Sequence, residues 1–91
     1  MNKIDLVFDK KLTNLAGYDF GVRIYKEQIK GKIELYEKFE LVFPEQIRMV
    51  ASSFVQGLFE DIVKQIGLKA TEENLYIENE KIYRSIINKL Q

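Results

Sequence analysis

The sequence predicts a small α/β domain in which strands and helices alternate in the order β-α-β-α-β-α. Three observations lead to this prediction. The 91 residues are enough for one domain with a modest core and too few for two. Short segments with every second residue apolar alternate with longer ones whose apolar residues recur every three or four positions. Glycine, proline or a capping residue separates most segments, so we expect a single domain over residues 1–91.

Three strands are predicted from alternating apolar residues, at residues 3–8, 39–43 and 75–77. Pro44 ends the second strand because it has no amide hydrogen to donate. Ile47 and Met49 alternate with Arg48 and allow a brief fourth strand. The expected sheet therefore has three or four strands, parallel or mixed.

The alternation also predicts how the sheet is covered. A sheet buried on both faces would have continuously apolar strands, so we expect helices mainly on one face. The other face would carry Val7, Val42 and Tyr76 among polar residues. This face is predicted either as solvated surface or as a secondary contact face, including one used by a symmetric homodimer.

Residues 18–33 are predicted to form the first helix, with an apolar face formed by Val22, Tyr25, Ile29 and Ile33. Residues 9–17 are predicted as a loop, with Asn14 as a cap. An alternative makes 22–29 and 32–43 a hairpin that turns at Lys30-Gly31.

The clearest helix follows Ser53, which stands three residues before Gln56 in the spacing of a capping box. Its inner face is apolar, and Gly67 is predicted to end it as a left-handed C-cap. Gly57 lies inside this helix and indicates a close backbone approach, for which an internal strand is the favoured partner over another protein. Asn79 is expected to cap the final helix after a polar link.

The charge and residue types exclude several kinds of chemistry. Fourteen basic residues balance 14 acidic ones, so no bulk positive field favours nucleic-acid binding. Histidine and cysteine are both absent, which excludes thiol nucleophiles, Ser-His-Asp triads and Cys/His zinc sites. No apolar run has the length of a signal peptide or membrane helix. We therefore expect a cytoplasmic protein without metal, cofactor or membrane association.

Acid–base catalysis would have to use paired carboxylates, since the chain has no histidine. The close pairs are Glu60-Asp61, Glu72-Glu73 and Glu78-Glu80. All lie in predicted loops or on the polar side of a helix, where solvated surface acids are the ordinary interpretation. A small carboxylate-dependent hydrolase remains an alternative hypothesis.

Two serines precede the second predicted helix, in the sequence Ala51-Ser52-Ser53. One is expected to cap the helix and the other to be exposed at its start. A phosphate added there would meet free amides and the positive end of the helix dipole. Capping alone also explains two serines at this position.

The segment from Phe39 to Phe59 resembles the STAS-like small domains of bacteria and their mobile elements, an uncharacterised family. These domains are similar to the STAS domain of anti-sigma-factor antagonists, in which a strand leads through a short link into a serine pair that opens a helix. In that motif, Asp-Ser-Ser-Gly, the first serine is phosphorylated by the partner kinase. The resemblance implies this role for Ser52, while Ala51 and Phe54 stand in place of the aspartate and the glycine.

The sequence thus predicts a non-catalytic regulatory module that binds a partner protein. The contact is expected at Ser52, Ser53, Gln56 and Gly57, beside the link from Gln46 to Met49. The resemblance implies a histidine-kinase-like ATPase as the partner. The main alternative is a phage or mobile-element factor that inhibits a host defence protein by binding it.

Overall fold

The computed structural model describes residues 2–91. Within that range the strands are β1 (Lys3–Asp5), β2 (Asn14–Leu15), β3 (Phe39–Val42), β4 (Met49–Val50) and β5 (Leu75–Tyr76). The α-helices are α1 (Tyr18–Ile24), α2 (Ser52–Ile66), α3 (Leu68–Asn74) and α4 (Glu80–Leu90). A π-helical turn, Tyr25–Ile29, continues α1. No helix of residues 2–91 has the length and apolar character needed to cross a membrane.

The main sheet is parallel throughout, with the strand order β1-β3-β5. This confirms the predicted α/β class and the parallel sheet. A second, two-stranded parallel sheet joins β2 to β4. The brief fourth strand is therefore present, but it pairs outside the main sheet. Asn14 was predicted as a cap and lies instead in β2, where it aligns with Met49.

The inner face of the main sheet carries the core. Phe39 and Leu41 are completely buried, and Leu75 is nearly so. They join one hydrophobic cluster with the apolar sides of α2 and α4. On the outer face, Val7 is 70% exposed and Tyr76 is 42% exposed. The helices thus cover one face of the sheet, as the alternation predicts.

The first helical segment is shorter than predicted and ends at Ile29. The amide of Lys30 donates to the carbonyl of Tyr25 at 2.8 Å, which closes the π-helical turn. Lys30 then has an extended backbone, and Gly31 has a φ of +75°, so the helix cannot continue to residue 33. Because residues 22–29 are helical and strand β3 begins only at Phe39, the hairpin alternative is wrong.

Helix α2 ends where predicted, but a further helix follows it. Gly67 has a φ of +85°, a conformation that favours glycine, and α3 begins at the next residue. Residues 68–74 were predicted as a polar link. Thr71, which is fully buried, is the inward contact of this helix, and its hydroxyl donates to the Gly67 carbonyl at 2.7 Å.

Asn79 caps α4 as predicted. Its Oδ1 accepts a hydrogen bond from the Ile82 amide at 3.1 Å. The apolar side of the helix that follows is buried at Ile82 and Ile86.

Helices α1 and α2 pack with their backbones in direct contact at two glycines. A Cβ atom on Gly57 would lie 2.8 Å from the Val22 amide nitrogen and closer still to the Tyr18 carbonyl oxygen. A Cβ atom on Gly21 would lie 2.7 Å from the Leu58 amide nitrogen. The close approach indicated by Gly57 is therefore real, but its partner is helix α1 and not a strand.

We expect Gly57→Ala to destabilise the fold by about 1–3 kcal/mol, because the added methyl group must push two helix backbones apart. The gain in helix propensity, about 1 kcal/mol, offsets only part of this cost. Urea unfolding monitored by circular dichroism measures the change. Gln56→Ala, at the exposed neighbouring position, is the matched control and should change the free energy of unfolding by no more than about 0.5 kcal/mol. A Gly57→Ala protein as stable as the wild type would contradict the close contact.

Candidate functional site

The two serines at the start of α2 point in different directions. Ser52 is the first residue of the helix and is exposed. Ser53 is half-buried, and its hydroxyl oxygen accepts a hydrogen bond from the Gly17 amide at 2.9 Å. The N-cap position is occupied by Ala51, with an extended backbone and no side-chain hydrogen bond to the helix. The predicted capping box is therefore wrong, and Ser53 ties the start of α1 to the first turn of α2.

Gln56 and Gly57 differ in the same way. Gln56 is exposed one turn after Ser52, whereas Gly57 is buried beneath α1. Gly57 acts inside the protein and is not available to a partner. Of the four residues predicted as the contact site, Ser52 and Gln56 lie on the surface.

Ser52 and Gln56 continue into a row of polar residues along α2, spaced by four, with Glu60 and Lys64. We call these four residues the α2 row. Side chains spaced by four lie on the same side of a helix, and Lys64 Nζ lies 3.7 Å from Glu60 Oε2. The hydroxyl of Tyr18 donates to Glu60 Oε1 at 2.7 Å, so the first residue of α1 contacts the middle of the row.

Two exposed hydrophobic residues lie on the elements that adjoin the α2 row. Met49 is 58% exposed and Tyr18 is 40% exposed. Met49 lies in β4, only three residues before Ser52. Tyr18 lines a cleft of about 500 Å³ together with Gln56, Glu60 and the C-terminal end of α4. Tyr18 thus borders the middle of the α2 row, and Met49 lies close in sequence to its start.

Met49 ends the link that the sequence places beside the contact, but its exposure is not predicted from the sequence, and Tyr18 is not predicted as a site residue. The Met49 side chain belongs to a two-residue strand in which the next residue, Val50, is fully buried. The alternation of Ile47 with Met49 suggested that both face the same way, yet Ile47 is buried in the turn before β4. The exposure of Met49 follows from the position of β4. That position depends on the pairing of β4 with β2, which no local pattern in the sequence shows.

The secondary contact residues lie on the outer face of the main sheet. Val42 is half-buried in β3, and the Tyr76 ring lies 5.9 Å from the Lys38 ammonium group. Val7 is exposed beyond the end of β1, and its backbone amide and carbonyl both bond to the Gln28 side-chain amide at 2.8 Å. Gln28 therefore occupies the free edge of the sheet next to β1.

One member of each acidic pair makes a surface contact. Glu60 bonds to Tyr18, Glu80 bonds to Arg84, and Glu72 accepts a hydrogen bond from Gln91 at 3.0 Å. In residues 2–91 the acidic side chains form no group of three or more that could hold a metal ion. The geometry thus offers surface ion pairs and hydrogen bonds at these positions.

The hydrogen bond to Glu60 raises the pKa of Tyr18 above its ordinary value of 10.0, since ionisation would remove the donated proton. Desolvation and the negative charges of Glu60, Asp19 and Asp61 raise this pKa further. The folded state therefore binds the phenol proton more tightly than the unfolded state does. This contribution to stability is fully present below pH 10.0 and is lost as the pH rises through the folded-state pKa of Tyr18.

We expect Glu60→Ala to lower the pKa of Tyr18 towards 10.0, because it removes the hydrogen-bond acceptor and its charge. NMR titration of ¹³C-labelled tyrosine rings measures this pKa directly. Glu80→Ala is the matched control, since it also removes an exposed glutamate from a helical i,i+4 pair. The assignment fails if Tyr18 titrates alike in the wild type and in Glu60→Ala.

We expect Ser53→Ala to cost about 1 kcal/mol of stability, because it leaves the half-buried Gly17 amide without its acceptor. Ser52→Ala is the matched control and should stay within about 0.5 kcal/mol of the wild type. Urea midpoints of the two variants separate the structural serine from the exposed one. Equal midpoints would mean that the bond to Gly17 contributes nothing measurable.

Comparisons with known proteins were made at three levels. No family model, no curated protein and no solved structure matches this chain. The resemblance to STAS-like small domains stays a prediction.

Proposed function

We propose that this protein is a non-catalytic interaction module that binds a partner protein through the start of α2. The contact surface comprises Ser52 and Gln56 with the flanking side chains of Met49 and Tyr18. The observation that carries the proposal is the exposure of Met49, 58%, in the strand that leads into α2, and of Tyr18, 40%, beside Glu60 of the row. Methionine and tyrosine are enriched in protein interfaces, because they offer adaptable or rigid apolar area at modest entropic cost.

Ser52 is the proposed switch residue of this surface. It is exposed at the first position of a 15-residue helix, and the first turn holds no acidic side chain. A phosphate on Ser52 would interact favourably with the free amides at the start of α2. Ser53 is less suited to this role, because its hydroxyl is half-buried and bonded to Gly17. The STAS-like resemblance supports a cytoplasmic histidine-kinase-like ATPase as the partner and kinase.

The chain offers a direct way to test the surface. It contains two methionines, Met1 and Met49, so photo-methionine labelling places a cross-linker at the proposed contact. We expect irradiation in host lysate to cross-link one protein, identified by mass spectrometry as a histidine-kinase-like ATPase. Met49→Leu keeps an apolar side chain and removes the cross-linker, so this adduct should disappear. An adduct that persists in Met49→Leu would arise from Met1 and would contradict the proposed surface.

Substitutions of Ser52 then test the switch with the same readout. Ser52→Asp should weaken cross-linking by adding negative charge to the contact, and Ser52→Ala should preserve it. If the two variants cross-link equally, the interaction stands and the switch does not. A complex with a defence protein that neither change affects would favour the inhibitor hypothesis over the regulator.

A further inference from the structure

The outer face of the main sheet carries its side chains in two rows that run across the strands. The parallel register aligns Lys3 of β1 with Glu40 of β3, and Glu40 with Tyr76 of β5. The next outward row begins with Asp5 aligned with Val42. The first row lies towards the amino ends of the strands and the second towards their carboxyl ends.

The two rows differ in charge. Lys38 joins the first row, because its ammonium group lies 5.9 Å from the Tyr76 ring and its carbonyl is held by the Asn2 side chain at 3.0 Å. Glu45 and Glu78 border the second row and line a hollow of about 390 Å³ together with Val42. This hollow spans both rows, because Lys3 and Glu40 of the first row also line it. The amino end thus presents two lysines around Glu40, with a net charge of +1, and the carboxyl end presents only carboxylates around a valine.

These charges have no ion-pair partners inside the chain. Within residues 2–91 the ion pairs are Lys64 with Glu60 and Arg84 with Glu80, both on helices. Lys3, Asp5 and Glu78 are exposed to solvent. Unpaired charges of both signs, separated along the strand direction, give the face a pattern that its own copy can complement.

We propose that a second copy of this chain covers the outer face, with the strands of the two copies running antiparallel. The two-fold axis lies in the plane between the two sheets and runs across the strands. It places β1 of one copy over β1 of the other and reverses the strand direction. Lys3 of one copy then faces Asp5 of the other, and Lys38 faces Glu78. A two-fold axis along the strands would instead place Asp5 against Glu78, which repel. The charges therefore select the antiparallel arrangement.

The centre of this interface is small, and on the central strand Glu40 of one copy faces Val42 of the other. Val42 lies in the middle of the second row, and the Tyr76 ring covers the β5 side of the first. The strands are only two to four residues long, so each copy buries less than the roughly 800 Å² typical of stable complexes. The dimer is accordingly a reversible one that forms at high protein concentration.

Charge reversal at Lys3 and Asp5 tests the arrangement. Both are exposed, so the variants should fold, and circular dichroism checks this. Sedimentation equilibrium over a wide concentration series measures the dissociation constant. We expect Lys3→Glu and Asp5→Lys each to raise it by about fivefold or more, since either change makes both symmetric contacts repulsive. An equimolar mixture of the two variants should dimerise as tightly as the wild type, because each contact then joins opposite charges.

Lys69→Glu is the matched control, an exposed lysine on α3 away from the sheet face; it should leave the dissociation constant unchanged. The proposal is overturned if the wild type stays monomeric throughout the series. It is also overturned if the mixed variants bind no more tightly than each alone, or if Lys69→Glu weakens the dimer equally. None of these outcomes bears on partner binding by the α2 surface, whose residues are unchanged in every variant.

Discussion

The backbone contact between α1 and α2 is the constraint on which the rest of the structure depends. Gly21 and Gly57 let the two helices approach until a Cβ atom on either would overlap backbone atoms of the other. This closeness brings the Gly17 amide within hydrogen-bonding distance of Ser53 and the Tyr18 hydroxyl within reach of Glu60. The exposed surface at the start of α2 is therefore built from two helices, and it exists only while the glycine contact holds.

The same packing separates the molecule into two sides. The apolar side of α2 joins the inner face of the sheet in one core, so the α2 row lies on the side of the molecule opposite the outer sheet face. A dimer through the outer face would leave both α2 surfaces free and directed away from each other. Two binding surfaces on one particle raise the effective concentration of the second contact after the first has formed. Self-association would thereby strengthen binding to an oligomeric partner without altering the α2 surface.

Local signals predicted much of this fold. The alternation of apolar residues and Pro44 predicted the position of β3. The recurring apolar residues predicted α2, and Asn79 predicted where α4 begins. The errors share a different cause, which is dependence on distant parts of the chain. Ser53 matches a capping box locally, but its hydroxyl bonds to Gly17, 36 residues away. Strand β2 exists through its pairing with β4, and α3 turns a single fully buried residue, Thr71, inward. The exposure of Ser52 could be predicted from its position at the start of a helix. The place of Tyr18 in the site could not, because it depends on the contact between α1 and α2.

The π-helical turn limits association through one edge of the main sheet. An exposed edge strand offers unpaired amides and carbonyls to any other chain. Just beyond the carboxyl end of β1 this edge is covered, because the turn Tyr25–Ile29 carries Gln28, whose side-chain amide bonds to both backbone groups of Val7 at 2.8 Å. The opposite edge, β5, is only two residues long, which limits edge pairing there. With one edge partly covered and both edge strands only two or three residues long, the charged outer face is the surface of the sheet best placed to meet a second copy.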